Sequence, residues 1–157
     1  MSLNSQQIQT ILNTHNNYRN NVNPPATVMP QLTWSDDLAT NASKWAANCK
    51  FAHSGSPNVG ENIYVTSMRT PNIAAFDASQ AVNSWGGEKQ YYSYGNCCPD
   101  MNTGHYTQII WANTDKTGCA VQDCPSIDGV SWPNGGTLVV CQYSPPGNWL
   151  GQKPYQT

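Results

Sequence analysis

The sequence predicts an α+β domain, helical through its first two thirds and closed by an antiparallel hairpin. Two patterns carry this prediction. Apolar residues recur at helical spacing in three segments before residue 86. After Asn113-Thr114-Asp115-Lys116 the period changes to two, and Cys119, Val121 and Asp123 alternate with Ala120, Gln122 and Cys124. The 157 residues fit one domain, residues 1–157, with no linker or internal repeat.

Residues 5 to 22 read as an amphipathic helix with Ile8, Ile11, Leu12, His15, Arg19 and Val22 on one stripe. Ser5 is its expected cap, and Asn23-Pro24-Pro25 stops it. Met1-Ser2-Leu3 reads as a start placed on a mature sequence, and residues 1–4 as disordered. Ser35 caps a second helix, with Asp36 and Asp37 complementing its dipole. Its expected buried stripe is Leu38, Ala42, Trp45 and Cys49. Phe51 through Asn58 form a Gly/Pro/Ser loop containing His53, and Gly60-Glu61-Asn62-Ile63-Tyr64-Val65 is a short apolar segment behind it. After a loop from Ser67 to Asn72, a third helix is expected from Ile73 to Trp85, ended by Gly86-Gly87. A Pro99-Asp100 turn then leads to a short helix at Gly104, where the Thr103 hydroxyl is the expected cap and His105 sits in the first turn. Thr137 through Tyr143 is the second clear strand. Asp128-Gly129 and Asn134-Gly135-Gly136 supply the turns between the strands. The Pro-rich tail from Ser144 wraps the surface.

Composition removes several functions. Net charge is -2 and only 10% of residues are charged, so no basic surface tracks a phosphate backbone and nucleic acid is not an expected partner. No apolar run reaches the roughly 18 residues needed to span a bilayer. Six cysteines (Cys49, Cys97, Cys98, Cys119, Cys124 and Cys141) allow fifteen complete pairings. The chain has no C-x-x-C pair, which favours disulfides over zinc ligation and hence an oxidising compartment. Asn41-Ala42-Ser43 is a glycosylation sequon.

His15 lies on the apolar stripe of the first helix and reads as structural. His53 and His105 lie at loop or helix-start positions, as do Glu61 and Glu88 beside glycines. The plain alternative is that both glutamates are solvated surface groups. Taken as a site, two His and two Glu suit three chemistries: a divalent metal on the histidines, a carboxylate pair cleaving a glycosidic bond, or a His–Glu pair activating a hydroxyl. There is no H-E-x-x-H helix and no G-x-S-x-G elbow to decide among them.

Four segments resemble the CAP superfamily of cysteine-rich secretory proteins, insect antigen 5 and plant pathogenesis-related proteins of the first class. Gly104-His105-Tyr106-Thr107-Gln108-Ile109-Ile110-Trp111 is similar to its first signature. Leu138 through Trp149 is similar to its second. Gly60-Glu61-Asn62-Ile63-Tyr64 and the Trp85/Glu88 spacing resemble its two shorter motifs. The resemblance, nearest to plant and fungal pathogenesis-related-like members, implies a three-layer α-β-α sandwich with a central antiparallel sheet. It implies a secreted, extracellular, monomeric or weakly dimeric protein. It also implies a cleft where His53, Glu61, Glu88 and His105 converge as a tetrad, the catalytic candidates, with zinc or another divalent cation on His53 and His105. Acid would release such an ion from the imidazoles.

Family members are reported to bind sterols or fatty acids and to act in defence or lipid export. The matching loop here carries Val65, Met68, Pro71, Ile73 and Phe76, which either meet the lipid or pack beneath the loop. The reading is a binder of a small apolar lipid with a metal-competent cleft; the alternatives are a protease-like hydrolase, metal-dependent or working through the His/Glu cleft with Ser54 and Thr107 as neighbouring hydroxyls, and a signalling or defence protein that binds a receptor or membrane. The family pattern pairs Cys49 with Cys119 and Cys124 with Cys141. Cys97 and Cys98, directly adjacent here, are left to bond each other or stay free.

Overall fold

The computed structural model describes residues 2–98 and 101–157; Met1 and the Pro99-Asp100 turn lie outside the described residues. The elements are α1 (Ser5–Asn20), β1 (Thr33–Trp34), α2 (Asp36–Ala46), β2 (Gly60–Thr66), α3 (Ser79–Gly86), α4 (Gly104–Ile109), β3 (Lys116–Cys124) and β4 (Gly136–Ser144), with single 3-10 turns at Ile73–Ala75, Gly87–Tyr91 and Met101–Thr103.

One four-stranded sheet in the order β1-β3-β4-β2 forms the middle layer. β3 and β4 make the expected hairpin, and β2 joins β4 antiparallel, so the short apolar segment after Gly60 is an edge strand. β1 adds two residues parallel to β3 on the other edge. Side chains alternate across a strand, which sorts the core. Cys119 and Val121 of β3, with Cys141 and Tyr143 of β4, face α1, α3 and α4. Ala120 and Cys124, with Leu138 and Val140, face α2. The result is the α-β-α sandwich.

That sorting corrects the expected disulfides. Cys49 follows α2, and Cys124 points to the α2 face; the two are bonded. Cys119 points to the opposite face, directly across from Cys141 in register, and bonds it at a Cα separation of 4.1 Å. A Cys49–Cys119 bridge would have to cross the sheet. Cys97 and Cys98 are bonded to each other.

Three local expectations change as well. At the start of the chain Leu3 packs on the core, and Asn4, not Ser5, caps α1. The Asn4 side chain accepts from the Gln7 N–H at 2.8 Å and the Gln7 side chain accepts from the Asn4 N–H at 3.0 Å, a reciprocal capping box. The expected helix from Ile73 to Trp85 is broken. The Gln7 side-chain amide takes the carbonyls of Ile73 and Phe76, and the Asp77 carboxylate restarts the helix by accepting from Ser79 N–H. Cys49 is not on the helix at all: α2 ends at Ala46 and Cys49 lies in a left-handed turn at φ 51°. The tail is irregular, as expected, yet Tyr155 is buried and its hydroxyl donates to the Pro24 carbonyl at 2.7 Å.

Candidate functional site

His53 and His105 are each gripped by one glutamate, and the grip is built the same way twice. His53 Nδ1 lies 3.0 Å from Glu61 Oε1, and the same oxygen accepts the N–H of Ser54, the next residue, at 2.8 Å. His105 Nδ1 lies 2.7 Å from Glu88 Oε2, and Glu88 Oε1 accepts the N–H of Tyr106, again the next residue, at 3.0 Å. The second grip revises the helix cap. The Thr103 side chain makes no cap bond; the Glu88 carboxylate, reaching in from the 3-10 turn after α3, satisfies an orphan donor in the first turn of α4. A carboxylate there also meets the positive end of the helix.

Because a carboxylate only accepts, Nδ1 carries the proton in both neutral imidazoles. That leaves Nε2 as the nitrogen with a lone pair for an outside ligand. The same carboxylate–histidine arrangement orients metal-binding imidazoles generally. Each of the two imidazoles thus presents one donor atom of the kind a divalent cation takes. Among the described residues no group of three or more His, Cys, Asp or Glu is arranged to hold a metal ion, so two imidazoles would be the protein's contribution.

Neighbouring elements fix each pair. Glu61 Oε2 accepts from Gln142 Nε2 at 2.9 Å, and the Gln142 Oε1 accepts in turn from Asn41 Nδ2 of α2. Gln142 is fully buried. Burial pushes the Glu61 carboxyl up, but the bonds from His53, Ser54 and Gln142 outweigh it and hold it at about 2. His53 is raised, chiefly by its hydrogen bond to Glu61. On the other face, the ring of Trp85 stacks on His105 with centroids 6.1 Å apart, and Trp85 Nε1 donates to the Ile63 carbonyl.

Beneath α4 runs a buried polar chain. His15 Nδ1–H donates to the Ile11 carbonyl at 2.8 Å, so Nε2 accepts from the Tyr143 hydroxyl at 2.7 Å. Asn62 Nδ2 donates to that hydroxyl at 3.3 Å and to the His105 carbonyl at 3.1 Å. Glu61 and Asn62 are adjacent in β2 and so point to opposite faces, one serving each histidine. Two glycines bring the layers together. A Cβ on Gly60 would lie 2.0 Å from Gln108 Oε1, and one on Gly86 would lie 2.1 Å from the Tyr18 ring.

The four tetrad residues are thus brought together as two pairs. An open cavity of about 240 Å³ is lined by His53, Glu61, Gln108 and Asn148; His105 and Glu88 are not on its wall. Neither candidate hydroxyl bonds a histidine. Ser54 Oγ donates to Ser56 Oγ, and Thr107 Oγ1 donates to Asn148 Oδ1 at 2.6 Å. Of the five expected lipid-contact residues, Ile73 and Phe76 are in the core, Val65 is half-buried, and Met68 is 72% exposed. Pro71, Met68 and Phe76 line a groove of about 400 Å³ with Gln80. The loop is pinned: Arg69 makes a two-pronged ion pair with Asp123 at 2.8 Å, and Thr137 Oγ1 donates to the Met68 carbonyl.

The sequence reading missed Gln142, Asn62 and Asn148 as parts of the site. All three lie inside the quoted signatures, and a glutamine within an otherwise apolar buried strand already demands a partner.

The comparisons with known proteins bear on the family and the fold. The profile of "CAP: Cysteine-rich secretory protein family" matches residues 12–143. Peptidase inhibitor 16 of Mus musculus is 37% identical over 99% of this chain and 30% of its own length. GLIPR1-like protein 1 of Mus musculus is 39% identical over 94% of this chain and 63% of its own. The chain therefore spans about a third to two thirds of the length of these relatives. Among solved structures, NaASP2 with Zn2+ superposes with a TM-score of 0.85 at 27% identity, covering 99% of this chain and 88% of that one. Hookworm Platelet Inhibitor superposes at 0.79 and 29% identity, covering 99% and 78%. MpPR-1i superposes at 0.56 and 21% identity, over 88% of this chain and 87% of that one. The expected nearness to plant and fungal members gives way to animal relatives, but the four motifs, the sandwich and the family profile agree: this chain belongs to the CAP, or cysteine-rich secretory protein, family.

Proposed function

We propose that residues 1–157 act as one extracellular CAP domain whose cleft binds a divalent cation, zinc being the first to test, through the Nε2 atoms of His53 and His105. The reading rests on one observation: both imidazoles have Nδ1 held by a glutamate, which leaves Nε2 as the donor in each. A cation there would supply a Lewis-acidic point for an oxygen ligand. Glu61 and Glu88 orient the rings, and Gln142 and Asn62 hold the segments that carry them. A hydrolase with a hydroxyl nucleophile is the weaker reading, because neither Ser54 nor Thr107 donates to a histidine. The relative crystallised with Zn2+ supports the choice of metal. The three disulfides support the extracellular setting, and no described helix is long and apolar enough to cross a membrane.

Calorimetry at neutral pH tests this. Zinc uptake by the wild type should be lost in the His53→Ala, His105→Ala double variant. If one ion is shared, each single variant should lose most of the affinity. Equal uptake by the double variant and the wild type would overturn the proposal.

A second reading, binding of a sterol or fatty acid at the loop from Val65 to Phe76, is favoured by exposed Met68 beside a pinned, preformed groove. Labelled sterol and fatty acid should then bind saturably, and Met68→Asp should abolish binding without changing zinc uptake. Unchanged binding in that variant would remove the loop from consideration.

A further inference from the structure

We propose that the edge of β3 beyond β1 is a docking site for an extended peptide that adds a parallel strand, with a cationic residue at its start and an acidic one at its end. The Asp115 N–H still bonds the Ser144 carbonyl of β4, but from its carbonyl onward the odd-numbered residues of β3 turn their backbone polar groups away from β4. The Asp115 carbonyl accepts from Thr33 N–H at 3.0 Å and the Thr117 carbonyl from Ser35 N–H at 2.9 Å. Two residues on, the same orientation falls to Cys119 and then Val121. Pairing with β1 stops at Trp34–Thr117, because the chain turns into α2 at Asp36. Among the described residues nothing bonds the outward carbonyl of Cys119 or the outward N–H and carbonyl of Val121. Unpaired ladder groups in a row are a template for another strand.

These groups lie in a groove of about 430 Å³ between the helical layers. Leu3, Ile8 and Trp34 form its α1 side, and Thr40, Ser43 and Lys44 its α2 side, with Asp36 at the β1 end. α2 runs parallel to β3: its start lies over Gly118 and its end is tied through Cys49 to Cys124. Asp36 and Lys44 therefore mark the two ends of the groove, and neither makes an ion pair among the described residues. A strand parallel to β3 would place alternate side chains toward the two walls. Apolar residues suit the Leu3 and Ile8 side; a cation near Asp36, a hydroxyl, and a carboxylate near Lys44 suit the other.

The probe is acetyl-Lys-Val-Thr-Val-Glu-amide, titrated into the disulfide-bonded protein and followed by amide NMR. The expected result is saturable shifts at Cys119, Val121 and Lys44, with slowed hydrogen exchange at the Val121 amide. N-methylation of one ladder amide of the peptide should weaken binding about fivefold, the worth of one hydrogen bond. Lys44→Glu, a surface change, should weaken this peptide and favour one with its charges exchanged. Absence of protection at Val121, or equal binding of the N-methylated peptide, would overturn the proposal. So would protection of Val121 by self-association without peptide, which would assign the edge to a second copy.

Discussion

The His53–Glu61 and His105–Glu88 pairs use one device in two settings. In both, a glutamate takes Nδ1 of a histidine and the N–H of the following residue. The first pair sets a loop histidine, 66% exposed, against a glutamate that is 7% exposed and held a third time by Gln142. The second sets a helix histidine, stacked on Trp85, against a glutamate on a 3-10 turn. In the first, the glutamate is the fixed point and the histidine hangs from it. In the second, α4 is the fixed point and Glu88 serves it as a cap. The rigidity of the first site comes from the sheet; that of the second comes from whatever seats α4.

Arg19 seats it. The side chain is 1% exposed and among the described residues pairs with no carboxylate. Instead its guanidinium donates to the carbonyls of Pro30, Ile109, Trp111 and Thr114 at 2.7–2.9 Å. Two of these lie at the C-terminal end of α4, where a cation also meets the negative end of the helix. Burial lowers the guanidinium to about 10, which leaves it charged at neutral pH. The largest expected effect is therefore that of Arg19→Leu. It should destabilise the fold by about 3–5 kcal/mol in urea unfolding, since it strands several buried carbonyls at once. In whatever remains folded, NMR should find the His105 ring displaced and the His53 ring unmoved. Equal disturbance of both rings would mean that the pairs are not independently seated.

The buried chain under α4 gives the next effect. His15 is fully buried, and burial lowers it from 6.5 to about 4. Its protonated form is thus disfavoured in the fold, so the unfolded chain binds more protons between these values. Stability is full above pH 6.5 and should fall as pH drops toward 4, by on the order of 3 kcal/mol, then level off. His15→Asn should cost stability at neutral pH and flatten this slope. An unchanged slope would place the acid sensitivity elsewhere. Glu61 acts in the same direction but in a lower window: its stabilisation is present above its ordinary value of 4.5 and lost as pH falls toward about 2.

How much of this was readable follows from how far each cause lies along the chain. Local signals held: Ser35 accepts from Leu38 N–H as a cap should, and the shift to period two after Lys116 became β3. His15 read as structural from its place on the apolar stripe, and it is. The failures share a cause in partners remote in sequence. Ile73 and Phe76 fall at helical spacing, but Gln7, some 66 residues earlier, takes their carbonyls. Thr103 is a good cap by residue type, but Glu88 arrives from outside the helix. The cysteine pairing needed the face of the sheet for each sulfur, and that depends on a register the sequence alone leaves open. The histidines and glutamates of the site were legible one by one. Their division into two pairs was not, because it rests on Glu61 and Asn62 pointing to opposite sides of β2.

The smallest effect sharpens the contrast between the pairs themselves. Glu61→Gln and Glu88→Gln each keep a side-chain oxygen and remove a charge. Glu61 loses a charged acceptor for three partners, and the amide that replaces one oxygen then faces the Gln142 amide, donor against donor. This variant should lose about 2 kcal/mol, and His53 should fall back toward 6.5 in a proton NMR titration. Glu88→Gln needs one oxygen for Tyr106 N–H and one acceptor for His105 Nδ1–H, and the amide can meet only one of them. It should lose about 1 kcal/mol, mostly as fraying at the start of α4. The order is the point of the pair of measurements. If Glu88→Gln costs more than Glu61→Gln, capping α4 outweighs the three-donor clamp on the sheet. The second pair, not the first, would then be the rigid half of the site.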